Sequence, residues 1–155
     1  MHHRTNPRSG TGSLRRPVVL RRTVSIRVLL SRHEALQIGV CFVYDPADPL
    51  AVRMDFPGAP DRVEPWMFSR DLLYAGLREP SGDGDVRVWP PCRCHGVGTV
   101  RILLRSSFAA AVLFVPADEL RDWLDETFAS VPAGEESAHL GWEEALERLL
   151  GPERP

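Results

Sequence analysis

Residues 109–130 read AAAVLFVPADELRDWLDETFAS, and a pattern typical of a strand is followed in them by a pattern typical of a helix. From 109 to 115 every residue is apolar, which is typical of a β-strand buried on both faces. From 117 to 130 large apolar residues recur at helical spacing between acidic ones, at Leu120, Trp123, Leu124 and Phe128. The segment therefore predicts a buried strand followed directly by an amphipathic helix.

Such a strand needs a packed layer on each side of its sheet. A chain of 155 residues is long enough for one domain with one core. A second copy of the chain is a reasonable source of the second layer. The segment thus favours an oligomer.

Six further strands are predicted upstream, mostly from alternating apolar and polar residues. In residues 23–30, for example, Val24, Ile26, Val28 and Leu30 share one face. Pro65 indicates an edge strand or a bulge, because proline cannot donate a ladder hydrogen bond. The other predicted strands are residues 38–44, 50–56, 63–68, 86–89 and 97–105.

Ser69 is a suitable N-cap for a short helix that has Asp71 in its first turn. Residues 142–150 repeat the amphipathic helical pattern and form a C-terminal helix pair with 117–130. The predicted fold class is α+β, with about seven antiparallel strands in sheets packed on helices.

Residues 1–17 are rich in Arg, Gly, Ser and Pro, and we interpret them as a disordered basic arm. Residues 18–150 form the predicted domain, and 151–155 are a tail. The longest apolar run, 109–115, is far shorter than the roughly 20 residues of a membrane helix. No apolar stretch follows the basic N-terminus as in a secretory signal. We therefore expect a cytoplasmic protein without an integral membrane segment.

The net charge of −2 conceals a polarity along the chain. The first 32 residues contain no acidic residue and eight arginines: Arg4, Arg8, Arg15, Arg16, Arg21, Arg22, Arg27 and Arg32. Residues 117–150, in contrast, are strongly acidic, with Arg121 and Arg148 their only arginines. Because an acidic body repels phosphate, we expect nucleic acid to bind only weakly and through the arm.

The sequence contains only weak candidates for catalytic, metal-binding or phosphate-binding motifs. Cys92, Cys94 and His95 are potential zinc ligands, but a structural zinc site takes four ligands and no second pair exists. His33 and His95 have no accompanying nucleophile motif. Residues 81–84, SGDG, lack the Gly-Lys-Ser/Thr ending of a phosphate loop. The sequence predicts no catalytic residue, no metal and no cofactor, hence no enzyme.

Several longer motifs are recognisable together. Residues 44–52 read YDPADPLAV and 66–73 read WMFSRDLL, followed by Gly76-Leu77. Residues 79–86 and 88–90 read EPSGDGDV and VWP; His95-Gly96 and then VPAGE at 131–135 follow. In this order the motifs resemble the SsgA-like family of actinobacteria, over nearly all of the predicted domain. The absence of lysine agrees with a GC-rich source.

The resemblance implies a non-enzymatic, sporulation-specific cell division protein. It would act as a cytoplasmic adaptor at the septum in septum-site selection, FtsZ recruitment or septal cell-wall synthesis. Its partners would be FtsZ or a family paralogue. The resemblance also implies a Whirly-like fold and a homotrimer, which we expect to form through residues near 109–123. The Whirly-like fold leaves a single-stranded nucleic-acid-binding module as the alternative.

The partner-binding residues are unknown from sequence. Seven motif residues are interpreted as fold determinants more than as a site: Trp66, Phe68, Arg70, Asp71, Trp89, His95 and Gly96. Trp66, Phe68 and Trp89 are large enough to anchor a core. Arg70-Asp71 is either a local ion pair or an exposed contact, and we favour the ion pair.

Overall fold

The computed structural model describes residues 17–93 and 98–151, without the side chains of residues 143–145. Residues 1–16 of the predicted arm, Cys94, His95, Gly96 and the tail from 152 onward lie outside the described residues. The strands are β1 Leu20–Ser31, β2 Glu34–Tyr44, β3 Ala51–Asp55, β4 Trp66–Ser69, β5 Val86–Trp89, β6 Thr99–Arg105 and β7 Ala110–Pro116. The helices are α1 Arg70–Ala75, α2 Ala117–Ser130 and α3 Trp142–Leu150, with a 3-10 turn at Glu136–His139.

The strands form one sheet in the order β4-β3-β2-β1-β7-β6-β5. Every pairing is antiparallel, and the contact of β1 with β7 joins two meanders, β1 to β4 and β5 to β7. The α+β class with seven antiparallel strands is therefore confirmed. β4 lies at a sheet edge, which is one of the two positions that Pro65 indicated. It begins at Trp66 rather than at residue 63, since a proline adds no N–H to the ladder.

The register sorts side chains onto two faces. Val24 lies opposite Val40 in β2, and Ile102 of β6 lies opposite Leu113 of β7. These side chains are buried and define the inner face, whereas the alternate residues of β1, such as Arg27, are exposed on the outer face. Alternation along the strands thus decides which residues meet the helices.

Helix α2 covers part of the inner face. Its Trp123 is fully buried, with its ring centroid 5.4 Å from that of Phe42 in β2. Leu120 and Leu124 are buried beside it. Each such side chain contributes roughly 1.5–3 kcal/mol by leaving water. Because α2 follows β7 without a loop, the strand and the helix that covers it pack as one unit.

The expectation that β7 is buried on both faces is not met within one chain. Leu113 and Val115 are buried on the inner face, but Val112 and Phe114 are only half-buried on the outer one. The guanidinium carbon of Arg27 lies 4.2 Å from the centroid of the Phe114 ring. The outer face of β7 therefore packs against an arginine where a second apolar layer was expected.

The local signals around α1 are confirmed. Ser69 is the N-cap, and its Oγ accepts a hydrogen bond of 3.2 Å from the Leu72 N–H. The helix ends at Gly76, where a Cβ atom would lie 2.2 Å from Cγ1 of Val88. Glycine at this position lets the helix end against β5.

Candidate functional site

The described motif residues lie in three different surroundings. Trp66 and Phe68 point from β4 to the inner face, with Phe68 buried and Trp66 half-buried. Trp89 is half-buried on the outer face of β5. Asp71 is exposed in the first turn of α1, and only Arg70 is fully buried among the charged residues of the described part. The described motif residues therefore do not line one common pocket.

Arg70 joins the start of α1 to the end of α2. Its Nη1 donates hydrogen bonds to the carbonyl oxygens of Thr127, at 3.0 Å, and Val131, at 2.9 Å. Its Nη2 donates to Oε1 of Glu136 at 3.1 Å. The last carbonyls of a helix have few partners within it. The Thr127 carbonyl accepts from the N–H of Val131 at 2.9 Å, and the buried arginine adds a second donor to it and one to the Val131 carbonyl just after the helix. We call Arg70, Thr127, Val131 and Glu136 the arginine junction.

Aromatic rings hold the same guanidinium. The guanidinium carbon of Arg70 lies 4.0 Å from the Phe128 ring centroid and 4.9 Å from that of Tyr44. The Tyr44 hydroxyl donates to the carbonyl of Pro49 at 3.0 Å, within the first motif, YDPADPLAV. Burial raises the pKa of Tyr44, and the nearby charge of Arg70 opposes that rise. The junction thus connects three of the motifs that define the resemblance.

The interpretation of Arg70-Asp71 as a local ion pair is wrong. Arg70 pairs with Glu136, because α1 directs its first residue into the core and Asp71 into solvent. The pKa of Glu136 is lowered by its own backbone N–H and by that of Gly134, with Arg70 contributing, although burial acts against this. Sequence reasoning missed Glu136. The one available signal was its position next to the VPAGE motif, since long-range pairing leaves no local pattern.

An apolar cleft of about 360 Å³ remains on the inner face at the end that α2 does not cover. Trp66 of the family motif lines it beside Phe56, together with the β1–β2 hairpin and the start of β7. The hairpin contributes Val28, Leu30, Leu36 and Ile38, and β7 contributes Ala110, Ala111 and Leu113. This lining can hold aliphatic or aromatic groups but offers few hydrogen-bonding partners.

Helix α3 presents a second apolar surface. Among its described side chains, Leu149 is 82% and Leu150 80% exposed, with Trp142 and Leu146 at least half exposed. Near the cleft, Phe108 in the turn before β7 is 99% exposed. Large exposed apolar patches are typical of surfaces that bind another protein.

Within the described ranges, no His, Cys, Asp and Glu residues gather in a group of three or more that could hold a metal ion. Cys94 and His95 fall outside those ranges, so the predicted absence of a Cys92–Cys94–His95 site stays a prediction. In the same part of the chain, no helix is long and apolar enough to span a membrane.

Comparison with known proteins agrees with this architecture. Residues 38–136 match the family described as Streptomyces sporulation and cell division protein, SsgA. The sporulation-specific cell division protein SsgB of Streptomyces coelicolor is 44% identical over 126 residues, covering 81% of this chain and 90% of that protein. SsgB of Salinispora tropica is 38% identical and covers 89% of this chain and 97% of its own.

Two solved structures share the fold. One comes from a study of SsgB mutations that correlate to longitudinal cell division during sporulation of S. coelicolor. Its TM-score is 0.73 and its sequence identity is 39%, and the match covers 81% of this chain and 98% of that one. The other, an SsgA-like sporulation-specific cell division protein from Thermobifida fusca, has a TM-score of 0.75 and 27% identity, covering 87% and 98%. None of these names supports the nucleic-acid alternative. The chain belongs to the SsgA family of sporulation and cell division proteins.

Proposed function

We propose that this chain is a non-enzymatic adaptor of sporulation-specific cell division. It acts in the cytoplasm at the septum, in septum-site selection, FtsZ recruitment or septal cell-wall synthesis. The observation that carries the proposal is its 44% identity to a sporulation-specific cell division protein over 81% of the chain. Relatives in other genera are also named sporulation-specific cell division proteins, which supports a role in division rather than in metabolism.

The surface of the chain is suited to an adaptor. An adaptor needs exposed patches for partners, and the cleft is one such patch. We further propose that the chain assembles as a homotrimer near residues 109–123, with the apolar side of α3 buried between copies and the cleft and the outer face of the sheet left free for partners. Three copies would raise avidity for a polymeric partner such as FtsZ.

Co-sedimentation with FtsZ polymers tests the adaptor role. The full chain and a chain that begins at Val18 are each mixed with FtsZ and centrifuged, and both are expected in the pellet. The same two proteins are then titrated with single-stranded DNA at about 150 mM salt. Tight DNA binding that survives loss of the arm, without FtsZ binding, would overturn the proposal.

Deletion of the gene in the host tests the process. We expect aerial filaments that lack regularly placed sporulation septa, and restoration by the full-length gene. Normal septation and spore formation in the deletion strain would contradict a role in division.

A further inference from the structure

Four side chains from four adjacent strands form a line across the outer face of the sheet. The register places Arg27 of β1 opposite Phe114 of β7, and Phe114 opposite Arg101 of β6. Arg101 in turn lies opposite Trp89 of β5. Since neighbouring strands are about 4.8 Å apart, the line spans roughly 14 Å. We call Arg27, Phe114, Arg101 and Trp89 the arginine–aromatic row.

The two arginines stack on the two rings. The guanidinium carbon of Arg27 is 4.2 Å from the Phe114 centroid, and that of Arg101 is 5.4 Å from the Trp89 centroid. A guanidinium that stacks on a ring keeps its N–H groups for in-plane hydrogen bonds to a carboxylate. Neither arginine forms an ion pair with any other described residue. Arg27 is exposed and Arg101 is half-buried, so positioned donors are available at the surface.

A second row runs parallel to the first. Leu29 of β1 and Leu103 of β6 both lie opposite Val112 of β7, and all three are half-buried on the outer face. Arg87 of β5 continues this row next to Leu103. The outer face thus offers an apolar strip beside a line of stacked arginines.

Charge is divided between the two sides of the molecule. The outward residues of β1, β7, β6 and β5 include no acid and five arginines: Arg21, Arg27, Arg87, Arg101 and Arg105. The acidic residues of α2 lie on the helical side, beyond the inner face. The acidic net charge of the body therefore does not extend to these four strands of the outer face, because net charge does not report where charges lie.

We propose that the arginine–aromatic row binds an acidic segment of a partner protein, one whose carboxylates alternate with aliphatic side chains. The carboxylates pair with Arg27 and Arg101, and the aliphatic groups pack on the strip of Leu29, Val112 and Leu103. A protein segment fits better than nucleic acid, because both rings are half-buried and each already has a guanidinium against it, which leaves little ring surface for a base. The inference rests on the proposed adaptor function and assigns a binding face to it.

Fluorescence anisotropy with a short labelled peptide of alternating Asp and Leu tests the inference on the full chain. We expect saturable binding at about 150 mM salt, weakened at least about tenfold by R27Q/R101Q, since two charge-assisted contacts are lost. R78Q is the matched control: Arg78 stacks on Tyr74 at 5.2 Å, but on the helical side. A peptide with Asn in place of Asp is expected to bind at least tenfold more weakly than the Asp peptide. Should the double variant unfold, R27Q alone, at an exposed position, decides the question.

Equal peptide affinity of R27Q/R101Q and the unsubstituted chain would overturn the proposal, as would tighter binding of oligothymidine than of the peptide. A changed molecular mass of R27Q/R101Q in light scattering would instead make the row a contact between copies. Failure of this inference can be told apart from failure of the adaptor role. If FtsZ co-sedimentation persists in R27Q/R101Q, only the assignment of the binding face to the row is refuted. Normal septation in the deletion strain would refute the adaptor role itself.

Discussion

Arg70 donates a hydrogen bond of 3.0 Å to the main-chain carbonyl of Thr127, 57 residues further along the chain. Through this contact, the first residue of α1 completes the C-terminal end of α2. The Thr127 side chain bonds locally, with its Oγ1 donating to the Leu124 carbonyl at 2.7 Å, so the arginine is the partner that comes from outside the helix. A residue of the motif WMFSRDLL therefore acts on a distant element.

The first prediction concerns the arginine junction. Arg70→Met keeps an unbranched buried side chain but removes three hydrogen bonds, among them the side-chain donor to the Val131 carbonyl, and the ion pair with Glu136. We expect the free energy of unfolding to fall by about 3–5 kcal/mol, as when a buried ion pair loses one partner. Urea denaturation monitored by circular dichroism measures this free energy.

Arg121→Met is the matched control, because Arg121 pairs with Asp118 at 3.1 Å on the exposed side of α2. We expect a change of less than about 0.5 kcal/mol. Similar losses in the two variants would contradict a special role for Arg70.

The second prediction is a pH dependence at Glu136. The folded pKa is lowered from the ordinary 4.5, mainly by the backbone N–H groups of Glu136 and Gly134 and then by Arg70. The unfolded chain therefore binds this proton first as the pH falls. The stability contributed by the ionised carboxylate is complete above pH 4.5 and is lost as the pH falls through the folded pKa.

We expect E136Q to lower the urea midpoint at pH 7 and to approach the unsubstituted chain as the pH drops below 4.5. E79Q, at an exposed position after α1, is the control and should leave the urea midpoint unchanged both at pH 7 and below pH 4.5. A constant difference between E136Q and the unsubstituted chain over this range would refute the linkage.

The third prediction compares two glycines. In Gly76→Ala the added Cβ meets Val88 Cγ1 at 2.2 Å and Cβ at 2.5 Å, so either α1 or β5 must shift. We expect a loss of about 1–3 kcal/mol in unfolding free energy from overpacking. Gly84→Ala, where no atom lies within 4 Å of the added Cβ, is expected to be within about 0.5 kcal/mol of the unsubstituted chain. Thermal unfolding distinguishes the two, and equal melting temperatures would show that β5 can move freely.

The fourth prediction concerns assembly through α3. Leu146→Gln with Leu149→Gln removes apolar surface from a helix whose leucines are exposed in the single chain. We expect light scattering to change from a trimer to a monomer at tens of micromolar protein, with the melting temperature little altered. Leu50→Gln, an exposed leucine in the turn before β3, should leave the trimer intact. A monomeric unsubstituted chain, or a trimer unaffected by the α3 changes, would exclude this interface.

Most local structure was predictable, because its causes lie within a few residues. Helix α2 begins and ends where the apolar spacing of Leu120, Trp123 and Leu124 indicated, and α3 matches its predicted range. Ser69 caps α1 as expected. The strands were recognisable from alternation, although β1 and β2 extend further toward their hairpin than the alternation indicated. A long hairpin adds ladder hydrogen bonds that the side-chain pattern does not report.

The sequence by itself determined the family and the element types, since motifs and hydrophobic period act locally. Only the tertiary structure decided that Arg70 pairs with Glu136 and that Arg27, Phe114, Arg101 and Trp89 stand in one row. The physical reason is register: a shift of one residue between β1 and β7 would keep every local pattern and turn the side chains of one strand to the other face. The packing of α2 on the inner face selects the register in which Leu113 is buried and Arg27 is exposed.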